Sequence, residues 1–143
     1  MPNHFHFIIR QKNKSDMTSF MRSIMTKYIH YFNEKYKRVG PLFQSKYKAV
    51  LINKEEYILH LTRYIHLNPK KIMPKKADLS SYSWSSYPTY VKNWNSSWLT
   101  KDLIMSYFNT VKGFGFSSYQ GFVEGYRDDT MQKDTSINNL FLE

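Results

Sequence analysis

Two short stretches carry residue types that could do chemistry together. His4 and His6 stand two apart in Met1-Pro2-Asn3-His4-Phe5-His6-Phe7-Ile8-Ile9-Arg10, and side chains at i and i+2 of a strand point the same way. Phe5, Phe7 and Ile9 take the alternate face, as a strand laid on a core requires. Tyr64 and Asn68, in Thr62-Arg63-Tyr64-Ile65-His66-Leu67-Asn68-Pro69, are one helical turn apart and share a face. Two imidazoles, a carboxamide and a phenol, brought together, make a metal site beside an oxygen nucleophile.

A His-x-His strand needs one more ligand to hold a divalent ion while leaving positions for substrate oxygen or water. The chain has Cys 0, so thiolate sites and disulfides are excluded. Zn would accept the imidazoles, but an amide third ligand favours a harder ion, Mg or Mn. Asn68 and His66 both compete for that third place; His66, two residues from Tyr64, lies on nearly the opposite side of the helix. The ion would polarise a non-bridging phosphate oxygen, and Tyr64 would attack phosphorus to form a phosphotyrosine. A phenoxide is an intermediate leaving group, so a DNA hydroxyl can reverse the linkage. The plainer reading of the same residues is a chance pair of histidines, one tyrosine among Tyr 12, a helix stop at Asn68-Pro69 and a surface His66.

Charge points to the same class of partner. Residues 1–76 hold 16 Lys and Arg against 4 Asp and Glu, a net +12, while residues 77–143 hold 5 against 7, a net −2; the whole chain is +10. A basic half interleaved with Tyr and Phe suits a polynucleotide, with cations for phosphates and flat rings for unstacked bases. Arg10, Lys46, Lys48 and Arg63 are the expected DNA contacts, on charge alone. Aromatics at 17% argue against wholesale disorder. No apolar run approaches 18 residues and no basic-then-apolar leader opens the chain, so the expectation is a cytoplasmic protein without a membrane span.

The elements that must position these groups follow from the pattern. After the opening strand, Ser15 or Asp16 caps a helix over 16–37, with Met17, Phe20, Met21, Ile24, Tyr28, Tyr31 and Phe32 at helical spacing. Gly40-Pro41 breaks it, and Leu42 to Ile52 reads as a strand or hairpin arm. Asn53-Lys54-Glu55-Glu56 starts a second helix as a capping box. That helix ends at Asn68, because the residue before a proline avoids helical geometry. On it, Ile58, Leu61 and Ile65 face the core, and His30 and His60 are ordinary surface or packing residues. Ser80 to Tyr90 is a packed irregular segment. Trp98 to Phe108 and Ser117 to Tyr126 read as further helices. The divisions expected are a core over 1–76, an extension packed on it over 77–126, and a frayed tail over 127–143.

The histidine pair with its hydrophobic spacer resembles the signature of the HUH endonucleases, and Tyr64-Ile65-His66-Leu67-Asn68-Pro69 resembles the tyrosine motif of their single-tyrosine transposase branch. More narrowly, Gly40-Pro41-Leu42-Phe43-Gln44-Ser45-Lys46-Tyr47-Lys48-Ala49 and Trp84-Ser85-Ser86-Tyr87 are similar in place and order to REP-associated tyrosine transposases. The resemblance covers about residues 1–90. It implies a ferredoxin-like α/β fold, an antiparallel sheet packed with helices and followed by a mostly helical tail. It also implies metal-dependent nicking and rejoining of single-stranded DNA near hairpins, leaving a 5′-phosphotyrosine and a free 3′ hydroxyl. By position, His4, His6 and Asn68 would bind Mg or Mn and Tyr64 would be the nucleophile, with the protein at the nucleoid.

The chain opens on the histidine motif itself, whereas the family places a strand and a helix before it. The expected sheet is therefore incomplete at its N-terminal side, with edge hydrogen bonds unpaired and core surface bare. A truncated copy, a start placed too late, or a unit completed by a second copy as a homodimer would each account for this. Two alternatives to the nicking enzyme stay open: a nucleic-acid-binding remnant without chemistry, and a metal-dependent hydrolase using activated water. The hydrolase ranks last, because no Asp or Glu lies near either motif to serve as base.

The basic half carries a prediction of its own. Affinity for single-stranded DNA should fall roughly a hundredfold or more between about 50 and about 200 mM salt, as read by fluorescence anisotropy. A flat salt response would remove the phosphate-contact reading.

Overall fold

The computed structural model describes residues 1, 3–110 and 115–125, the side chains of Glu56, Asn109 and Thr110 aside. The tail expected over 127–143 lies outside the described residues. Among the described residues five α-helices follow one another: α1 (Asp16–Lys35), α2 (Glu55–Leu67), α3 (Tyr87–Val91), α4 (Asp102–Thr110) and α5 (Tyr119–Glu124). Short 3₁₀ turns stand at Asn68–Lys71 and Leu79–Ser81. None of the described helices is long and apolar enough to cross a membrane.

The ferredoxin-like sheet is not there. Among the described residues no strand forms, and neither the histidine stretch nor Leu42 to Ile52 makes a backbone ladder. Period-two alternation marks which side of a segment would face a core, but a strand exists only when a neighbour takes its N–H and C=O groups. No described segment offers that neighbour. The apolar residues meant for the sheet are consequently open to solvent: Phe5, Phe7, Ile8, Ile9, Tyr47, Val50 and Leu51 are all exposed.

The contacts divide the chain into two units, Phe7–Ala49 and Met1–His6 with the residues from Val50 on. In the first, α1 forms, but the stripe read as a core face is largely exposed, Phe20, Tyr28 and Tyr31 among it. Met21 is buried, Phe20 packs edge-on to Phe7, and Tyr28 lies against Phe32 and Phe43. Ser15 stands at the cap position without a side-chain bond. Asp16 turns back instead, accepting from the Asn13 and Lys12 N–H groups at 2.8 and 3.2 Å. Those bonds hold its carboxyl below the usual range. Gly40, at φ +91°, supplies the left-handed turn after the helix, and its carbonyl accepts from Asn33 Nδ2.

The second unit contains the larger core. Leu59, Leu79, Tyr87, Tyr90, Ile104, Tyr119, Phe122 and Val123 form it, so all but one of its members come from after the tyrosine motif. Helix α2 packs on α5, and α3 on α5 and the Leu79–Ser81 turn. Tyr107 of α4 donates to Glu55 at the start of α2, and Tyr87 donates to Glu124 at 2.6 Å.

The face that α2 buries is not the one its apolar residues predict. Leu59, Thr62, Arg63 and His66 are buried, at i, i+3, i+4 and i+7, while Ile58, Leu61 and Ile65 are half-buried. Polar side chains tolerate that position because each has a partner. Thr62 Oγ1 donates to the Ile58 carbonyl at 2.6 Å. Arg63 Nη2 donates to His60 Nδ1 at 2.8 Å, and its guanidinium lies 4.4 Å over the Phe122 ring. His66 is 2% exposed and meets the Tyr119 hydroxyl at Nδ1 (2.7 Å) and Ser86 Oγ at Nε2 (2.8 Å). Tyr87, Tyr90 and Tyr119 pack around its ring. His66 is thus a core residue, not the surface one its sequence context left open.

Two ends also differ from expectation. The capping box at Asn53 does not form; Lys54 holds the cap position of α2 without a side-chain bond. Asn68, although followed by Pro69, has helical φ −50° and ψ −42°. Its N–H still donates to Tyr64 O, and the chain tightens into the Asn68–Lys71 turn with Pro69 in its first positions, where a missing N–H costs least.

Burial in this aromatic shell pushes the His66 imidazole down to about 3 from 6.5. A depressed histidine contributes its stability above the unfolded value and loses it as pH falls. Below about pH 6.5 the unfolded chain binds a proton that the folded chain refuses, so each unit of acidification should cost up to about 1.4 kcal/mol. Urea midpoints measured from pH 7 downward should show this slope, and His66→Gln should flatten it. An unchanged slope in that variant would mean that other groups carry the acid sensitivity.

Candidate active site

Residues 1–6 belong to the same unit as α2, and there two of the predicted groups meet. The His6 ring lies edge-on to Tyr64 with centroids 6.1 Å apart. The His4 and His6 rings are themselves 5.1 Å apart and nearly perpendicular. His4 is exposed, while His6 and Tyr64 are half-buried. Two imidazoles and the phenol therefore share one neighbourhood.

The histidines are set up differently. His4 Nδ1 is 2.7 Å from Asn3 Oδ1. The amide oxygen can only accept, so Nδ1 carries a proton, and in the neutral ring Nε2 is then the nitrogen with the lone pair. This is how a carbonyl behind an imidazole prepares it as a ligand. Sequence reading passed over Asn3, although an amide next to a histidine is a short-range signal for such a bond. His6 Nε2, by contrast, is buried with no hydrogen-bond partner. Burial, then the nearby charge of His4, lowers the His6 pKa from 6.5 and favours the neutral ring that a metal needs.

Asn68 follows on the turn after Tyr64. It is 5% exposed, and its Nδ2 is also buried without a partner. Half a rotation about the last side-chain bond presents Oδ1 in that place, the atom a hard cation takes. Buried polar atoms left unmatched are rare and costly. An unmatched imidazole nitrogen and an unmatched amide are the donor set that a divalent ion would satisfy. Among the described residues no group of three His, Cys, Asp or Glu could hold a metal. Were His4, His6 and Asn68 to hold an ion together, two imidazoles, an amide and water would suit Mg or Mn better than a closed structural zinc site.

The four expected DNA contacts separate. Arg63 is buried, between His60 and Phe122, and not at the surface. Arg10, Lys46 and Lys48 are exposed, in the unit formed by Phe7–Ala49. His66 takes no part as a rival ligand, because both of its ring nitrogens are engaged in the core.

Residues 1–68 match the family model described as Transposase IS200 like. The match holds His4, His6 and Tyr64 and ends on Asn68; the core residues from Leu79 onward lie beyond it. No curated protein and no solved structure matches the chain.

The depressed His6 ring is open to direct measurement. Histidine NMR resonances followed against pH should place its midpoint below 6.5, and His4→Ala should raise it by removing one of three causes, the others being burial and the N-terminal charge. A His6 midpoint above 6.5 would contradict the buried, unpaired environment.

Proposed function

With residues 1–68 those of an IS200-like transposase, we propose that the chain nicks and rejoins single-stranded DNA through a tyrosine-linked intermediate. The single observation that carries this reading is the meeting of His6 and Tyr64, 6.1 Å between ring centroids, from opposite ends of the matched segment. Tyr64 Oη attacks a phosphodiester phosphorus; the Oη–P bond forms and the P–O3′ bond breaks. The phenolic proton leaves to solvent and the departing 3′ oxygen takes one up. A 5′-phosphotyrosine and a free 3′ hydroxyl result, and attack by a 3′ hydroxyl in the reverse sense rejoins the strand. His4, His6 and Asn68 would hold the divalent ion, Mg or Mn, whose chemistry is to polarise a non-bridging phosphate oxygen.

Each protein group has a separate task in this scheme. Asn3 holds the His4 ring with Nε2 free. The burial of His6 lowers its pKa and favours the neutral imidazole. The exposed Arg10, Lys46 and Lys48 would contact DNA phosphates, and a hairpin beside the nicked strand would fix its position. Action of Tyr64 within one chain or across a homodimer gives the same bond changes.

A second reading, a nucleic-acid-binding protein without chemistry, is favoured by the exposed apolar residues flanking the histidines and by the +12 of residues 1–76. It expects binding that is steep in salt and indifferent to His4 and His6.

Incubation with a hairpin-bearing single strand and Mn or Mg should give a DNA adduct that survives denaturing electrophoresis. Tyr64→Phe should abolish it. His6→Ala should slow it more than about 100-fold, beyond the usual cost of an outer-shell change, with DNA affinity altered less than about twofold. Intact DNA binding with no adduct under either metal would leave the second reading.

A further inference from the structure

Beyond the family match, the loop between α3 and α4 forms an open, shallow cavity of about 470 Å³. Trp94, Asn95, Ser96, Leu99, Lys101 and Asp102 are among its walls. The loop is held open from within. The Lys101 ammonium donates to Asn93 Oδ1 at 2.7 Å, to Trp94 O at 3.2 Å and to Thr89 O at 3.4 Å. An ammonium has three N–H donors, and all three are used on the chain itself. The Trp94 indole stays exposed, with Lys92 Nζ 5.0 Å above its ring. Ser96 Oγ is buried against this space with no hydrogen-bond partner.

These features select a ligand class. The one lysine in the wall is spent, and the Asp102 carboxylate beside it repels anions, so a phosphate does not fit. A flat neutral ring does: it stacks on the indole, as unpaired bases do on exposed aromatics. The carboxylate accepts from an exocyclic amino group, the pairing by which Asp or Glu reads cytosine. Asn95 and the unmatched Ser96 hydroxyl offer further polar contacts at the ring edge. Lys92 is not part of the cavity wall; its ammonium, over the indole, suits the phosphate next to the base.

We propose that this cavity is a binding site for one unpaired, amino-bearing nucleobase, cytosine before thymine, in single-stranded DNA. The proposal rests on the transposase reading for its substrate and adds a base-selective contact from the part of the chain outside the family match.

Trp84 and Trp98 are exposed, so replacing both with Phe leaves Trp94 as the sole indole reporter in an otherwise intact chain. In that protein an eight-residue oligo-dC should quench Trp94 emission saturably. Oligo-dT of the same length should need about tenfold more. Asp102→Asn should bring the two oligonucleotides within about twofold. In the unaltered background, Trp94→Leu should weaken oligo-dC binding about fivefold or more by anisotropy, with circular dichroism unchanged. Equal affinities for the two oligonucleotides, or anisotropy reporting binding while Trp94 emission stays constant, overturns the site and leaves the nicking reading intact. Failure of both oligonucleotides to bind at all overturns both readings.

Discussion

The arrangement of the second unit depends on a buried imidazole. His66 sits on α2, within two residues of both Tyr64 and Asn68, and its two ring nitrogens reach Tyr119 and Ser86. A neutral imidazole has one donor and one acceptor, so it can satisfy both hydroxyls only if α3 and α5 are in place on either side. Leaving either nitrogen unmatched in the aromatic shell would cost about 1–3 kcal/mol, a large share of a small domain's stability. The bonds fix the rotation of α2 about its axis, and that rotation decides which way Tyr64 and Asn68 face.

The same helix therefore holds two kinds of polar group. On its buried face every one is matched: Thr62 to Ile58, Arg63 to His60 and Phe122, His66 to its two hydroxyls. At its C-terminal end, and on the histidine stretch beside it, His6 Nε2 and Asn68 Nδ2 are buried and unmatched. Matched groups contribute to stability, and unmatched ones leave polar atoms buried at a cost. The contrast separates the structural histidine of the motif from the histidine fit for chemistry, a distinction that residue type alone does not make.

The C-terminal segment is what makes this possible. Seven of the eight core residues come from Leu79 onward, beyond the residues that match the IS200-like transposase model. The segment supplies the hydroxyls for His66, the ring beneath Arg63 and the carboxylate for Tyr87. Helix α2 has its packing partners there.

Local information was enough for much of this. Helix α1 and helix α2 were legible because amphipathic spacing is a property of the segment itself, and the pairing of His4 with His6 follows from two positions in sequence. The tyrosine and amide one turn apart were legible for the same reason. Strands were not, because alternation supplies half of a ladder and the other half must come from elsewhere in space. The buried face of α2 was not, because Arg63 and His66 read as polar until Phe122, Tyr119 and Ser86 arrive to match them. The sequence by itself determined which groups could do chemistry and which segments coil. Only the tertiary structure decided which histidine is core and which is unmatched, since burial and hydrogen-bond partners are properties of residues distant in the chain.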